Sequence, residues 1–278
     1  METTTPRTCY RHPNQRAGVI CQRCDRPICP DCMHEASVGF HCPECTKRSG
    51  QKVVRTSQLR TTTVVTNALI ALNVAIFVAG LGSNMGTKDQ FIEDGGLIAN
   101  AVDRAGHLVG VANGEWWRIF TAGFLHANVL HIGFNMFVLY QLGQLMEPAL
   151  GRLRFALVYV VALVAGALGV LLLDPNQLTV GASGAVFGLM GAAVAAMRSR
   201  GINPFATGLG TTIVLNLLIT FTIPGISIGG HIGGLIGGFA AGWLFTDLPP
   251  DLRKNPAVPI GAVVALGALL IGACLIVA

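Results

Sequence analysis

Seven apolar runs decide what this chain can become. They cover roughly residues 62–80, 118–143, 153–173, 181–198, 206–223, 227–246 and 257–278, and each is about long enough to cross a bilayer core. Composition agrees. The 278 residues are 52% hydrophobic and only 12% charged, where a soluble domain carries about 25% charged residues. The expectation is an all-α polytopic membrane protein with seven transmembrane helices. The first run follows about sixty polar residues, so no signal peptide is expected.

Lys and Arg residues set the expected orientation. Lys47, Arg48, Lys52, Arg55 and Arg60 precede the first run, the last three within a basic linker read over residues 49–61. Arg152 and Arg154 follow the second run, Arg198 and Arg200 the fourth, and Arg253 and Lys254 the sixth. Alternating helices put all of these on one side. The connections after the third and fifth runs, "DPNQ" and "TIPGIS", hold no Lys or Arg. The N-terminus is therefore expected in the cytoplasm of a bacterial-type cell. The long segment 81–117 and the starts of helices two, four and six are expected near the outer surface.

Seven of the eight cysteines lie between Cys9 and Cys45, apart from the apolar runs. With one histidine they form four pairs, each spaced by two residues: Cys9/His12, Cys21/Cys24, Cys29/Cys32 and Cys42/Cys45. Eight such ligands make two closed tetrahedral Zn²⁺ sites. A disulfide framework fits poorly, because seven cysteines cannot all pair. Few apolar residues are available there, so metal binding would supply the folding free energy. His34 and His41 are spare, and His41 adjoins Cys42. Reduced thiols fit a cytosolic location. The pattern resembles a B-box-like double zinc finger over residues 1–48. That resemblance implies interleaved sites, the first and third pairs on one metal and the second and fourth on the other.

Polar groups inside the apolar runs are the remaining signal, because an ionisable side chain in a membrane helix is expensive. The fourth helix opens with "VGASGAVFG", carrying Ser183 among Gly181, Ala182 and Gly184. The sixth opens with "SIGGHIGGLIGG", carrying His231 among Gly229, Gly230, Gly233 and Gly234. Small residues let membrane helices approach closely. Two glycine-faced helices pressed together would bring Ser183 and His231 within hydrogen-bond range, and a hydroxyl needs an adjacent base to act as a nucleophile. The second helix adds "FLHANVLHIGFNMF". Its His131 and Asn135, four apart, share a helical face, while His126 is expected to point elsewhere. Asn, His and backbone N–H donors are the groups that stabilise an oxyanion.

Trp117-Arg118, His131-x3-Asn135, Gly181-x-Ser183-Gly184 and His231-x2-Gly234-x3-Gly238 occur in that order. With them the chain resembles a rhomboid intramembrane serine protease over about residues 65–246. The resemblance implies a Ser183–His231 dyad cutting transmembrane proteins near the outer membrane surface. It implies oxyanion stabilisation by His131, Asn135 and the Ser183 N–H, and a structural role for Arg118 and the outer loop. The fifth helix would be a lateral gate, and Glu147 the acidic residue at the inner end of helix two. No Asp or Glu lies within helices four to six, so a carboxylate-completed triad is not expected. Asp174 reads as a solvated turn residue.

The expected organisation is a zinc module over 1–48, the linker, a six-helix core over 62–246, and a loop and seventh helix over 247–278. Two structural Zn²⁺ ions are expected, with no cofactor for catalysis. Expected partners are transmembrane protein substrates, the bilayer and a cytosolic protein partner for the module, with no nucleic acid. A non-catalytic rhomboid-like protein that escorts membrane substrates is the alternative reading.

Overall fold

The structure, a computed structural model, describes residues 8–36, 39–49, 63–82 and 88–278. The chain divides into two units, residues 1–62 and 63–278. The expected linker falls almost wholly on residues 50–62, outside the described residues.

In the first unit, strand β1 (Val19–Ile20) pairs antiparallel with β2 (Pro27–Ile28). A 3₁₀ turn spans Pro30–Cys32, β3 (His34–Glu35) pairs with β4 (Phe40–His41), and helix α1 covers Pro43–Ser49. Its core is made of sulfur. Cys9, Cys21, Cys29, Cys32, Cys42 and Cys45 are buried with Ile28, flanked by Tyr10, Val19, Met33 and Phe40. Two-residue strands and one apolar side chain do not sustain a fold of this size, which is why the cysteine clusters matter to it.

The second unit is helical. It runs through α2 (Val64–Gly82), α3 (Lys88–Gly95), a hairpin of β5 (Ala101–Val102) and β6 (Leu108–Val109), α4 (Arg118–Thr121) and α5 (Val129–Leu150). It continues with α6 (Arg152–Leu173), α7 (Ser183–Arg198), α8 (Leu209–Thr222), α9 (Ile228–Thr246), α10 (Pro250–Arg253) and α11 (Ala257–Val277). Leu and Ile side chains stay exposed on the outside of α8 and α11, and Phe134 and Phe137 on α5. A surface of that kind suits lipid, not water. The chain is a multi-pass membrane protein with a mostly helical fold.

Two expectations need correction. Among the described residues five helices, α2, α5, α6, α9 and α11, are long and apolar enough to span a membrane, whereas α7 and α8 are shorter. At 1.5 Å per residue these two reach about 24 Å and about 21 Å against a hydrocarbon core of about 30 Å. The apolar run at 118–143 is also not one helix. Residues 118–124 form two short helical turns, the chain is extended at Leu125, and α5 starts only after Asn128. The Asn128 side chain accepts from the His131 N–H at 2.9 Å and restarts the helix there.

Three interactions fix the frame. Arg118, almost fully buried, donates to Glu115 at 2.6 Å and to the carbonyls of Glu93 and Gly96 at 2.6 and 2.7 Å, tying α3 to α4. Glu147 accepts from the N–H groups of Val65 and Thr66 at 3.0 and 2.8 Å and from the Thr66 hydroxyl at 2.7 Å, capping α2 from α5. At the centre, α9 lies against both α6 and α7. A Cβ on Gly234 or Gly238 would run into the carbonyl of Gly184 or Gly188 on α7, and one on Gly229 or Gly233 into that of Gly169 or Ala165 on α6. The glycines of α9 thus serve two neighbours.

Candidate functional site

The N-terminal ends of α5, α7 and α9 meet, and each end is built differently. Helix α5 is capped by Asn128 and presents His131 from its first turn. Asn135, one turn on and buried, donates from Nδ2 to the His131 carbonyl at 3.0 Å, which commits one of its two amide protons to its own helix. The His126 ring packs edge-on against His131 with centroids 5.1 Å apart. This corrects the expectation that His126 points elsewhere: it sits in the loop before α5, off the helical geometry on which that expectation rested, and folds back.

Helix α7 follows a sharp bend at Gly181, which has φ +130°, a region that disfavours any side chain. A methyl on Gly181 would sit 2.7 Å from His131 Nε2 and 3.7 Å from Ser183 Oγ, so His131 and Ser183 both lie beside this glycine and a side chain there would collide with the imidazole. Gly181, just before α7, therefore faces His131 of α5, whereas Gly184, Gly188 and Gly191 of α7 face α9. Ser183 is the first residue of α7, and the helix has no side-chain cap. Its first-turn N–H groups are left as donors for an anion.

Helix α9 is capped twice over. The Ser227 hydroxyl accepts from Gly230 N–H at 2.9 Å and donates to Asp174 Oδ2 at 2.8 Å, and the same carboxylate oxygen accepts from Gly229 N–H at 3.2 Å. Asp174 is thus the anchor of the α9 terminus, not a solvated turn. Its spacing from Pro175 gave no sign of this, because the partner is 53 positions away.

His231 lies one turn into α9 and is buried. Its ring stacks on Phe187, with centroids 4.1 Å apart and planes 17° apart. Phe187 is one turn beyond Ser183 on α7, so the imidazole rests on the face of α7 that carries the serine. Nδ1 of His231 is 2.6 Å from Thr220 Oγ1 on α8. Ser183 Oγ makes no hydrogen bond among the described residues, to His231 included. Phe187 and Thr220 were missed from sequence. The i+4 spacing of Phe187 from Ser183 was an available signal, whereas Thr220 is one hydroxyl in an apolar run.

A hydroxyl, an imidazole and an uncapped helix start lie together at Gly181, and a second imidazole, its Nδ1 side engaged, rests one turn along the same face of α7; these are the kinds of group acyl transfer uses. Residues 113–248 match the model of the rhomboid domain. The chain carries a rhomboid domain. It is 33% identical over 124 residues to the rhomboid protease GluP of Bacillus subtilis, an alignment covering 44% of this chain and 24% of that protein. It is 34% identical over 169 residues to rhomboid-like protease 1 of Toxoplasma gondii, covering 58% and 57%. It is also 26% identical over 164 residues to the inactive RHOMBOID-like protein 8 of Arabidopsis thaliana, covering 51% and 47%. The chain spans about a quarter to a little over half of the length of these relatives. Every site residue named above, from His126 to His231, lies within the matched stretch.

The cysteine clusters lie outside the rhomboid match. Cys9, His12, Cys29 and Cys32 form one group of four donors, and Cys21, Cys24, Cys42 and Cys45 another, each with all donor atoms within 4.8 Å of one another. This is the interleaved pairing, with His12 using Nδ1, 3.3 Å from Cys29 Sγ and 3.4 Å from Cys32 Sγ. His41 is in neither group; Cys42 is. All eight cysteines of the chain are free thiols. Four soft donors converging on a point fit Zn²⁺ in a closed site. Around the second group, Arg26 donates to Cys24 Sγ at 3.3 Å, pairs with Glu44 at 2.6 Å and lies over the Tyr10 ring at 4.4 Å. The guanidinium pulls the Cys24 thiol down to about 6, favouring the thiolate that a metal needs.

Proposed function

We propose that this chain is an intramembrane serine endopeptidase that cuts the transmembrane segments of other membrane proteins. The observation that carries the reading is Ser183 at the uncapped start of α7 with His231 laid on Phe187 one turn along the same face. Ser183 is the nucleophile and His231 the base. His231 takes the hydroxyl proton as Oγ attacks the peptide carbonyl, and the oxyanion is held by the Ser183 N–H with His131 and Asn135. The C–N bond breaks as the imidazolium protonates the leaving amine, and water then hydrolyses the acyl-enzyme by the same proton route. Ser183 Oγ and His231 make no hydrogen bond among the described residues, and the proposed proton transfer requires the two to close up as substrate binds.

The shortness of α7 and α8 supports cleavage at a recessed site, since neither reaches across the whole core. Charge placement supports a cytoplasmic N-terminus with Ser183 toward the outer leaflet. The domain plan stays as proposed from sequence: zinc module 1–48, linker 49–61, six-helix core 62–246, and loop with seventh helix 247–278. Two Zn²⁺ ions would hold the module, which would bind a cytosolic protein partner.

The test uses the purified full-length chain in proteoliposomes with a panel of labelled single-span substrates. Cleavage that Ser183→Ala and His231→Ala each abolish supports the protease. An active-site serine probe that labels Ser183→Ala as well as the parent, with no substrate cut, leaves the escort reading instead.

A further inference from the structure

The imidazole of His231 has a partner that no carboxylate supplies. Thr220, two residues before the end of α8 and buried, carries its hydroxyl 2.6 Å from His231 Nδ1. The same hydroxyl donates its proton to the Asn216 carbonyl at 2.8 Å, one turn back on α8. A threonine has one hydroxyl proton and two acceptor lone pairs. With the proton committed to Asn216, Oγ1 faces Nδ1 as an acceptor, and Nδ1 must carry a hydrogen. A neutral imidazole holds one ring proton, so Nε2 on the far side of the ring keeps its lone pair.

We propose that Thr220 is the positioning residue of His231, using an α8 hydroxyl whose proton is held by Asn216 to fix the imidazole as the Nδ1–H tautomer. The proposal rests on the reading of His231 as the base for Ser183. In a Ser-His-Asp triad the carboxylate holds the base in the right tautomer and orientation. Here a neutral hydroxyl does so, and Phe187 sets the ring plane from one face. A neutral acceptor fits the place, because a second buried charge would have to be desolvated at the level of the bilayer. The arrangement also links two helices. Thr220 is one of only four buried residues of α8, with Leu209, Gly210 and Ile213, so the tautomer of the base depends on a helix whose other side chains largely face outward.

The full-length chain is labelled with ¹⁵N-histidine and reconstituted in lipid. The His231 signals are identified by difference against His231→Gln, and solid-state ¹⁵N shifts report which ring nitrogen carries hydrogen. The expected result is a protonated Nδ1 and a bare Nε2 in the parent and in Thr220→Ser, and loss of that preference in Thr220→Val. Labelling of Ser183 by a fluorophosphonate is expected to slow about tenfold to a hundredfold in Thr220→Val and to stay within about threefold of the parent in Thr220→Ser. A parent spectrum with hydrogen on Nε2, or Thr220→Val matching the parent in both spectrum and labelling rate, overturns the proposal. If the parent shows the Nδ1–H form yet neither labels nor cleaves, the protease reading falls while the assignment of Thr220 stands.

Discussion

His231 lies flat on Phe187, ring centroids 4.1 Å apart, and the stack joins α9 to α7 one turn below Ser183. Removing one ring should free the other. Phe187→Leu keeps an apolar side chain of similar bulk but loses the flat surface. The expected outcome is a chain that purifies as the parent does and cleaves substrate about fivefold more slowly, from loss of about 1 kcal/mol of orientation. Cleavage at the parental rate would show that the stack does not hold the base.

Gly181 and Gly234 test close approach in two ways. Gly181→Ala would put a methyl 2.7 Å from His131 Nε2 at a φ of +130°. It should abolish cleavage with a smaller loss of stability, since it displaces His131 from beside Ser183. Gly234→Ala drives a methyl onto the Gly184 carbonyl and should destabilise the helix pair by about 1–3 kcal/mol or more. Thermal unfolding in detergent compares the two; equal destabilisation would put Gly181 in the scaffold alone.

The Asp174–Ser227 pair should matter through α9. Ser227→Ala removes both the Gly230 cap and the bond to Asp174, at a cost of about 1 kcal/mol for the cap. Asp174→Asn keeps the acceptor and loses the charge, so it should be milder. Cleavage rates following the order parent, Asp174→Asn, Ser227→Ala would support anchoring of the His231 turn; the reverse order would not.

Metal content checks the cysteine module. Elemental analysis of the full-length chain should give two zinc ions. Acidification should release them, because the thiolates and His12 must be deprotonated to bind, with Cys24 held as thiolate down to about 6. Proteolysis after chelation should cut within residues 8–49 and spare the rhomboid domain, with serine labelling unchanged. A single metal, or none, would contradict the two four-donor groups.

Much of the plan was readable before any coordinates. The apolar runs gave the helical membrane fold, and the Cys-x-x-Cys spacing gave the ligands of both metal groups. Ser183 and His231 stood out because polar groups in apolar runs are costly. The break at residues 125–128 was less legible, although Asn128 before an apolar run was an available helix-start signal. The lengths of α7 and α8 also escaped, since hydropathy runs through the turns that end them.

Sequence by itself determined the helical membrane fold and marked out the polar and metal-ligand residues within it, because hydrophobicity, charge and ligand spacing are local properties. Only the tertiary structure decided which polar groups meet. Asp174 found the start of α9, His126 folded onto His131, and Thr220 found His231 across helices. Each of those pairings joins residues that the chain brings together only on folding, and no single helix encodes that.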